Sequence, residues 1–499
     1  MKRLNLFLVA LLVLSSSVSA GGLVTNTNGS AAWARTLSRE ASTDVDAVYF
    51  NPAGLAQLKN GLHLSLSNQT IFQTRQISDS YQFLSGAPES AYEAELTAPI
   101  FPSIYAAFKK EKWAVSAGFH IIGGGGSANF EKGLPSFEIP VASLVPMMQG
   151  ALAPVDQAIE GLTGVNPGFA NISGYDMSAA FNGSSNYFGI QAGVTYAITD
   201  MISVALGARY VMAKNSYEGS LSGVMINAPA AYGGAQTPGH YFRLISDNIE
   251  PYNPAGAATL DAYAGMMDAG TADAELNAVQ TGSGITPIVG LNLNLIDKVN
   301  VGLKYEHHTK IELTNETEVD DVGLFPDGDK TRADLPGMFT LGVQVKPIEK
   351  LSASVGFNYF LDKPAFYGNM DENMEQINNE TTIDQNAYTV SASLEYKILG
   401  ILGVSAGFST GNLGVNDNYQ SDLDYALKST SIGGGVFVDV GEMVTINAGF
   451  VRVMYDDYVL NQTYQISNPA DPMNPTSVPY SDTFMKKTTL FAIGVDISL

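Results

Sequence analysis

From Leu62 to the end of the chain, segments of about ten residues or more alternate apolar side chains with small or polar ones. A period of two is the mark of strands whose two faces meet different surroundings. The clearest case is 202–212, where Ile202, Val204, Leu206, Ala208, Tyr210 and Met212 share one face and Ser203, Ala205, Gly207 and Arg209 the other. The pattern recurs over 351–361 and 388–398, and in Phe491, Ile493, Val495, Ile497 and Leu499. A soluble sandwich alternates in the same way, so alternation alone does not separate sandwich from barrel. The connectors do. Tight ones, at Lys109–Lys112, Thr199–Asp200, Asp297–Lys298, Pro347–Lys350, Leu399–Gly400 and Val440–Glu442, take turns with others of about sixteen to more than sixty residues. Short periplasmic turns facing long outward loops are the asymmetry of an outer-membrane barrel.

About fourteen strands are expected, near 62–73, 101–109, 113–122, 185–198, 201–217, 285–296, 299–313, 335–346, 350–362, 386–398, 401–410, 428–440, 443–455 and 484–499. The longest loops then fall near 123–184 and 218–284. Composition agrees: 50 Gly, 24 Tyr and 23 Phe, with only 15% charged residues, suit strands that face lipid on one side and water on the other. Tyrosines gather towards strand ends, as an aromatic girdle requires. The final Leu499 departs from the aromatic ending common in such barrels. A net charge of −23 argues against nucleic acid as a partner. With no cysteine, neither a lipid-modified N-terminus nor a disulfide framework is expected. Residues 1–20 have the basic start, apolar run (Leu4 to Leu14) and Val18-Ser19-Ala20 site of a secretory signal peptide, and the barrel occupies 61–499.

Between them, residues 21–60 do not alternate. They carry Arg35, Arg39, Glu40, Asp44 and Asp46, then Asn51-Pro52-Ala53-Gly54-Leu55-Ala56. Asn-Pro is turn chemistry, and a proline cannot donate to a strand. Inward-phase Gly118, Gly193, Gly207, Gly302, Gly356, Gly407 and Gly433 leave room near the barrel axis, so the segment is expected to fold back as a plug. The full expectation is all-β: a 14-stranded antiparallel transmembrane β-barrel plugged by a short N-terminal hatch.

The run from Gly21 through Asp44, Asp46 and Asn51-Pro52-Ala53-Gly54-Leu55 resembles the hatch of the FadL/TodX family of outer-membrane transporters for hydrophobic compounds. The resemblance implies a fourteen-stranded barrel with Asn51, Pro52, Ala53 and Gly54 inside it. It also implies passive carriage of long-chain fatty acids or, in the TodX branch, aromatic hydrocarbons. In that family the third strand is kinked and leaves a gap in the wall. Here Trp113 to Ile122, including His120, is followed by Gly123-Gly124-Gly125-Gly126, which supplies the freedom for such a break. A glycine run also marks an ordinary loop, and both readings stand at this point.

Five histidines leave little for general-base chemistry. By strand phase His63, His120 and His308 point inward, the last near Lys304 and Glu306. Arg209 and Lys304 are the inward cations first in line for a ligand carboxylate. Gly407-Phe408-Ser409-Thr410-Gly411 matches the nucleophile-elbow pattern, but inside a strand, without its strand-turn-helix context. The acids over 316–329 lack calcium-loop spacing and fit a solvated loop. No enzyme activity, cofactor or metal is expected. Apolar stretches at Pro140–Met148 and Ala262–Met267 predict short helices in the loops, either gathering ligand or packing as a cap. The expected function is passive uptake of hydrophobic small molecules across the outer membrane, with fatty acids as the default. An aromatic-hydrocarbon channel and a general porin are the alternatives. The expected partners are the ligand, outer-membrane lipids and the barrel-assembly machinery.

Overall fold

Fourteen antiparallel strands close on themselves in the computed structural model, which describes residues 22–295, 298–368, 379–468 and 471–499. The expected signal peptide lies outside the described residues. The strands are β1 (Gly61–Asp79), β2 (Ser90–Lys110), β3 (Trp113–Phe130), β4 (Tyr175–Ala197), β5 (Ile202–Asn227), β6 (Ala274–Leu295) and β7 (Val299–Glu306, resuming at Glu312–Asp320). They continue with β8 (Lys330–Arg332, then Gly337–Ile348), β9 (Leu351–Leu361), β10 (Tyr388–Lys397), β11 (Leu402–Asn412), β12 (Ser429–Val440), β13 (Val444–Tyr455, resuming at Tyr458–Asn468) and β14 (Asp471–Ser498). Each strand pairs with the next, and β1 pairs with both β2 and β14, which closes the ring.

The alternation read from the sequence becomes the two faces of this wall. Leu66, Leu206, Leu394, Phe491 and Ile493 stand exposed on the outside, while Ser65, Ser67, Gln69, Ser203 and Arg209 are buried within. Trp113 and Tyr196, 4.5 Å apart by ring centroid, mark the tight-turn rim. An apolar outer belt around a polar lumen is what a bilayer requires. Among the described residues no helix is long and apolar enough to cross a membrane.

Most strands are longer than expected, mainly at the outward end, whereas β9, β10 and β12 keep about the expected extents. β1 runs to Asp79, β2 starts at Ser90, β4 at Tyr175, β6 at Ala274 and β14 at Asp471, whereas the tight-turn ends fall within a few residues of expectation. Apolar alternation fades where the lipid stops, but main-chain pairing carries on beyond it. The β1–β2 connector therefore shrinks to residues 80–89, and β13 and β14 meet in a hairpin, so the lengths do not alternate strictly. The longest loops span 131–174 and 228–273.

Residues 22–58 fold inside the barrel around helices α1 (Ala31–Thr36) and α2 (Ala47–Phe50) and a 3-10 turn at Pro52–Gln57. The long loops carry α3 (Pro135–Ala142), α4 (Leu144–Thr163), α5 (Pro238–Ile249) and α6 (Pro254–Gly270), which cover the expected helical stretches. Met148, Leu152, Phe242, Ile245 and Leu260 join Tyr81, Phe181, Tyr217 and Phe484 of the wall's outward end in one apolar cluster. Glu138 of α3 accepts hydrogen bonds from Tyr92 (2.6 Å) and Tyr175. These loops pack as a cap, yet Leu162, Val165, Tyr252 and Met266 remain exposed on it.

Candidate functional site: the plug and the open seam of the wall

The plug is held by main-chain contacts that only a thin inner wall permits. A Cβ on Gly342, Gly356, Gly407 or Gly449 would collide with plug atoms of Ala41, Glu40, Thr36 or Arg35 respectively. These inward glycines thus act as clearance, filled by the plug's backbone and, at Gly356, by the Glu40 carboxylate. The Asn-Pro-Ala-Gly motif sits against β4, β5 and β6. Asn51 caps the 3-10 turn by accepting from the Ala53 N–H (3.3 Å) and donates to the Leu291 carbonyl (3.0 Å). Thr195 and Ser203 donate to the Pro52 and Ala53 carbonyls at 2.7 and 2.8 Å. A Cβ on Gly54 would strike the Ser42 carbonyl. The plug's own charges pair internally: Arg39 grips Asp46 (2.7 and 2.9 Å) and reaches Asp44 (2.6 Å), while Ser30 caps α1 and donates to Asp46.

One seam of the wall is open. β2 and β3 pair from Lys110–Trp113 as far as Ser103–His120, and there the pairing stops. Each strand nevertheless continues on its other side, β2 with β1 to Ser90–Asp79 and β3 with β4 to Phe130–Phe181. The glycine run lies on this edge. The β3–β4 register slips at Ile121/Gly123 and again at Gly124/Gly126, and Gly124 takes φ +67°, where a side chain is strained. The plug's first residues dock on the free edge from inside. Thr25 bridges Gly123, and Asn26 donates its N–H to the Ile122 carbonyl and its amide to the Gly124 carbonyl, both at 2.7 Å. Tyr49 donates to the Asn26 carbonyl (2.6 Å) and packs edge-on against His120, 4.1 Å between centroids. Behind the seam, both ring nitrogens of His120, Ser103 Oγ, Thr25 Oγ1 and Asn26 Oδ1 are buried without a hydrogen-bond partner. Buried polar atoms are seldom left so, which marks the spot as a place for water or a ligand's polar group.

Arg209 and Lys304, the cations singled out from the sequence, both point inward and meet on one acid. Arg209 binds Glu306 in a fork (2.7 and 2.9 Å) and Gln191 (2.8 and 3.1 Å), and Lys304 reaches Glu306 at 2.7 Å. Lys304 also donates to the Tyr49 carbonyl (3.0 Å), and both cations lie over the Tyr49 ring. Tyr49 therefore connects the charge cluster to Asn26 and so to the edge of β3. His63 is buried at the tight-turn end against Ser498, and His308 pairs with Asp334 in the outward part of the wall.

A plugged fourteen-stranded barrel with its third strand detached is a distinctive object. Among solved structures, a FadL homologue from Pseudomonas aeruginosa superposes with a TM-score of 0.59 at 13% identity, over 95% of this chain and 98% of that one. This chain has the fold of the FadL/TodX family. Two further solved structures overlap it less. The Ralstonia pickettii toluene transporter TbuX gives 0.47 at 12% identity, over 90% of this chain and 93% of that one. The Pseudomonas putida toluene transporter TodX gives 0.45 at 14%, over 91% and 93%. No family model matches the sequence, and no curated protein does.

The FadL-type plug has a second fastening that sequence reasoning did not single out. Arg35 of α1 pairs with Glu395 of β10, donates to Asn447 (2.8 Å) and Ser405 (3.2 Å), and stacks its guanidinium 4.6 Å from the Phe437 ring centre. It borders a polar hollow of about 370 Å³ between plug and wall, lined also by Arg39, His63, Lys397, Asp439 and Asp496. Only the pattern Arg35 inside and Glu395 in a strand is visible in the sequence, and nothing there brings α1 to β10. Arg35→Ala is expected to loosen the plug at this end. In planar bilayers the variant then shows conductance steps more often than the unmodified protein, and equal step frequency would remove Arg35 as a fastening.

Proposed function

We propose that this barrel carries hydrophobic small molecules passively across the outer membrane, with long-chain fatty acids as the main cargo. The observation that carries the reading is the open β2–β3 seam beyond Ser103–His120, backed by a plug that closes the axial route. A solute bound for water needs an axial hole, whereas a greasy one gains by leaving sideways into lipid. Ligand is gathered on the apolar remnants of the cap, around Leu162, Val165, Tyr252 and Met266, and passes into the lumen above the plug. Displacement of Thr25 and Asn26 from the β3 edge then frees the seam. No step needs an energy source of its own; each is driven by the ligand's better contacts in the next position.

The alternative within the same class is an aromatic hydrocarbon, and outside it a porin for polar solutes. Removal of residues 22–58 tests all three. The plugless barrel is expected to fold and to conduct ions, while the intact protein passes few ions and binds a fatty acid saturably. Saturable binding of toluene but not laurate would move the cargo to the aromatic class. If the intact protein conducts like an open pore and binds neither, the uptake reading fails.

A further inference from the structure

Asp79 ends β1, and Asp482 stands directly opposite it on β14 at the outermost rung that these two strands share. Both side chains are buried on the inner face, 1% and 4% exposed. Each carboxyl uses one oxygen: Asp79 Oδ1 accepts from the Tyr81 N–H and Asp482 Oδ2 from the Gln462 amide, both at 2.6 Å. The other two, Asp79 Oδ2 and Asp482 Oδ1, have no donor, although the carboxyls lie within hydrogen-bonding reach of one another. Ser90, across from Asp79 on β2, brings no relief, because its Oγ is buried without a partner too. Two carboxylates in contact repel unless something positive stands between them.

Among the described residues no lysine, arginine or histidine pairs with either acid. Asp422 of the β11–β12 connector and Glu138 of α3 add negative charge from the cap side. Tyr81, Tyr92, Tyr464 and Tyr480 also surround the pair, and burial keeps their phenols neutral. On the same inner face Arg75 and Lys486 lie four residues deeper, about 13 Å along the strands. There Arg75 turns to the Leu423 carbonyl (3.3 Å) and the Tyr425 ring, and Lys486 feels the charge of Asp424. Nor, among the described residues, do three acids or histidines gather in a group able to hold a metal. That leaves a proton.

The rung lies beyond the lipid. On the outer face at this level Ser80 and Ser481 bond to each other (3.0 Å), and the exposed Phe72 and Phe491 of the apolar belt stand well below. Burial, and then the Asp79 carboxyl beside it, push the Asp482 carboxyl up to about 9, with Asp422 adding to the rise. Burial raises Asp79 as well. The pair also sits under the joint of the cap. Tyr81, whose N–H Asp79 holds, shares a hydrogen bond of 2.6 Å with Ser143 between α3 and α4. Asp422 accepts from the Ser136 N–H in the first turn of α3 (2.7 Å).

We propose that Asp79 and Asp482 share one proton and form a pH-dependent latch: with the proton α3 and α4 stay down on the wall, and its loss lets the cap lift from the lumen. The latch governs the way in and does not depend on which cargo the barrel carries. With both carboxyls charged, four acids face one another with no counter-charge, and parting the cap from the wall lets water reach them. The closed form keeps the proton up to about pH 9, whereas the open form, with solvated carboxyls, releases it near pH 4. The latch is therefore fully held below about pH 4 and weakens as pH rises to about 9, by at most about tenfold in the opening constant per pH unit.

Hydrogen–deuterium exchange of the full-length protein in an uncharged maltoside detergent with EDTA tests it. Protection of the amides of residues 134–148, corrected for the intrinsic pH dependence of exchange, is expected to fall about tenfold or more from pH 5 to pH 8. In Asp482→Asn, whose amide puts an N–H where the proton stands, protection should stay high and flat. Asp247→Asn, an exposed acid of α5, should keep the slope of the unmodified protein. At pH 7 the unmodified protein should also show the infrared carbonyl stretch of a protonated carboxyl, which Asp482→Asn lacks. A flat profile in the unmodified protein, an unchanged slope in Asp482→Asn, or absence of the infrared band each overturns the latch. If added Ca²⁺ restores protection at pH 8 in the unmodified protein but not in the variant, a metal bridges the pair and the shared proton is wrong. Heat-modifiable mobility on gels verifies folding; should Asp482→Asn not fold, Asp79→Asn takes its place, and the band of the unmodified protein still decides whether the proton is there. Failure of the latch leaves hydrophobic uptake standing.

Discussion

Replacing Gly123 and Gly124 together by valine is expected to cut uptake of a hydrophobic ligand about tenfold or more while the barrel still assembles, because a left-handed residue costs an L-amino acid roughly 1–2 kcal/mol. Gly124 holds φ +67°, and a Cβ there would collide with the Ser185 carbonyl. At Gly123 a Cβ would lie 2.5 Å from the Val24 carbonyl of the plug. Valine favours regular extended backbone, so the pair pulls β3 back into an unbroken ladder. A straightened β3 offers its free edge to β2, whose residues from Ser90 to Pro102 now lack a partner on that side. The same substitution takes away the surface on which Thr25 docks. Uptake by reconstituted vesicles measures the effect, with Ser127→Val, an exposed position farther along β3, as the control. Unchanged uptake in a folded double variant would mean that ligand does not leave through this seam.

Why the seam was only half legible follows from what a sequence encodes. The four glycines announce a weak point in β3 but not what uses it. That β2 separates from β3 beyond Ser103 depends on register across two strands, and that Thr25 and Asn26 fill the edge depends on a contact between residues about a hundred positions apart. The faces of the strands, by contrast, are local. The phase of Ile202 to Met212 placed Leu206 outward and Arg209 inward, as observed. Lengths were legible only as far as the lipid: alternation in β1 stops carrying information near Gln73, while pairing with β14 persists to Asp79–Asp482. Of the inward glycines, Gly302, Gly407 and Gly433 are filled by plug backbone and Gly356 by the Glu40 carboxylate, whereas Gly193 and Gly207 lie against the main chain of each other's strand, a distinction that strand phase does not encode.

Glu306→Gln is expected to destabilise the folded barrel by about 3–5 kcal/mol, the range for removing one partner of a buried ion pair. Glu306 is 4% exposed and is the carboxylate to which Arg209 and Lys304 both bind. Glutamine keeps the shape but leaves two cations facing each other in the lumen with no counter-charge. Their remaining contacts then take more of the load. Arg209 still has Gln191, while Lys304 has the Tyr49 carbonyl, so the disturbance passes into the plug at the residue that holds Asn26 on the β3 edge. The stability loss, read from the urea midpoint of reversible folding into lipid, should therefore be accompanied by faster deuterium exchange at Asn26. A triple variant, Glu306→Gln with Arg209→Gln and Lys304→Met, removes all three charges and should recover most of the stability, since an uncharged buried cluster avoids the desolvation cost. If the triple variant recovers stability but Asn26 exchange stays fast, Tyr49 is positioned by the charges themselves. If the single variant is as stable as the unmodified protein, the cluster is solvated and the lumen at this level is wet.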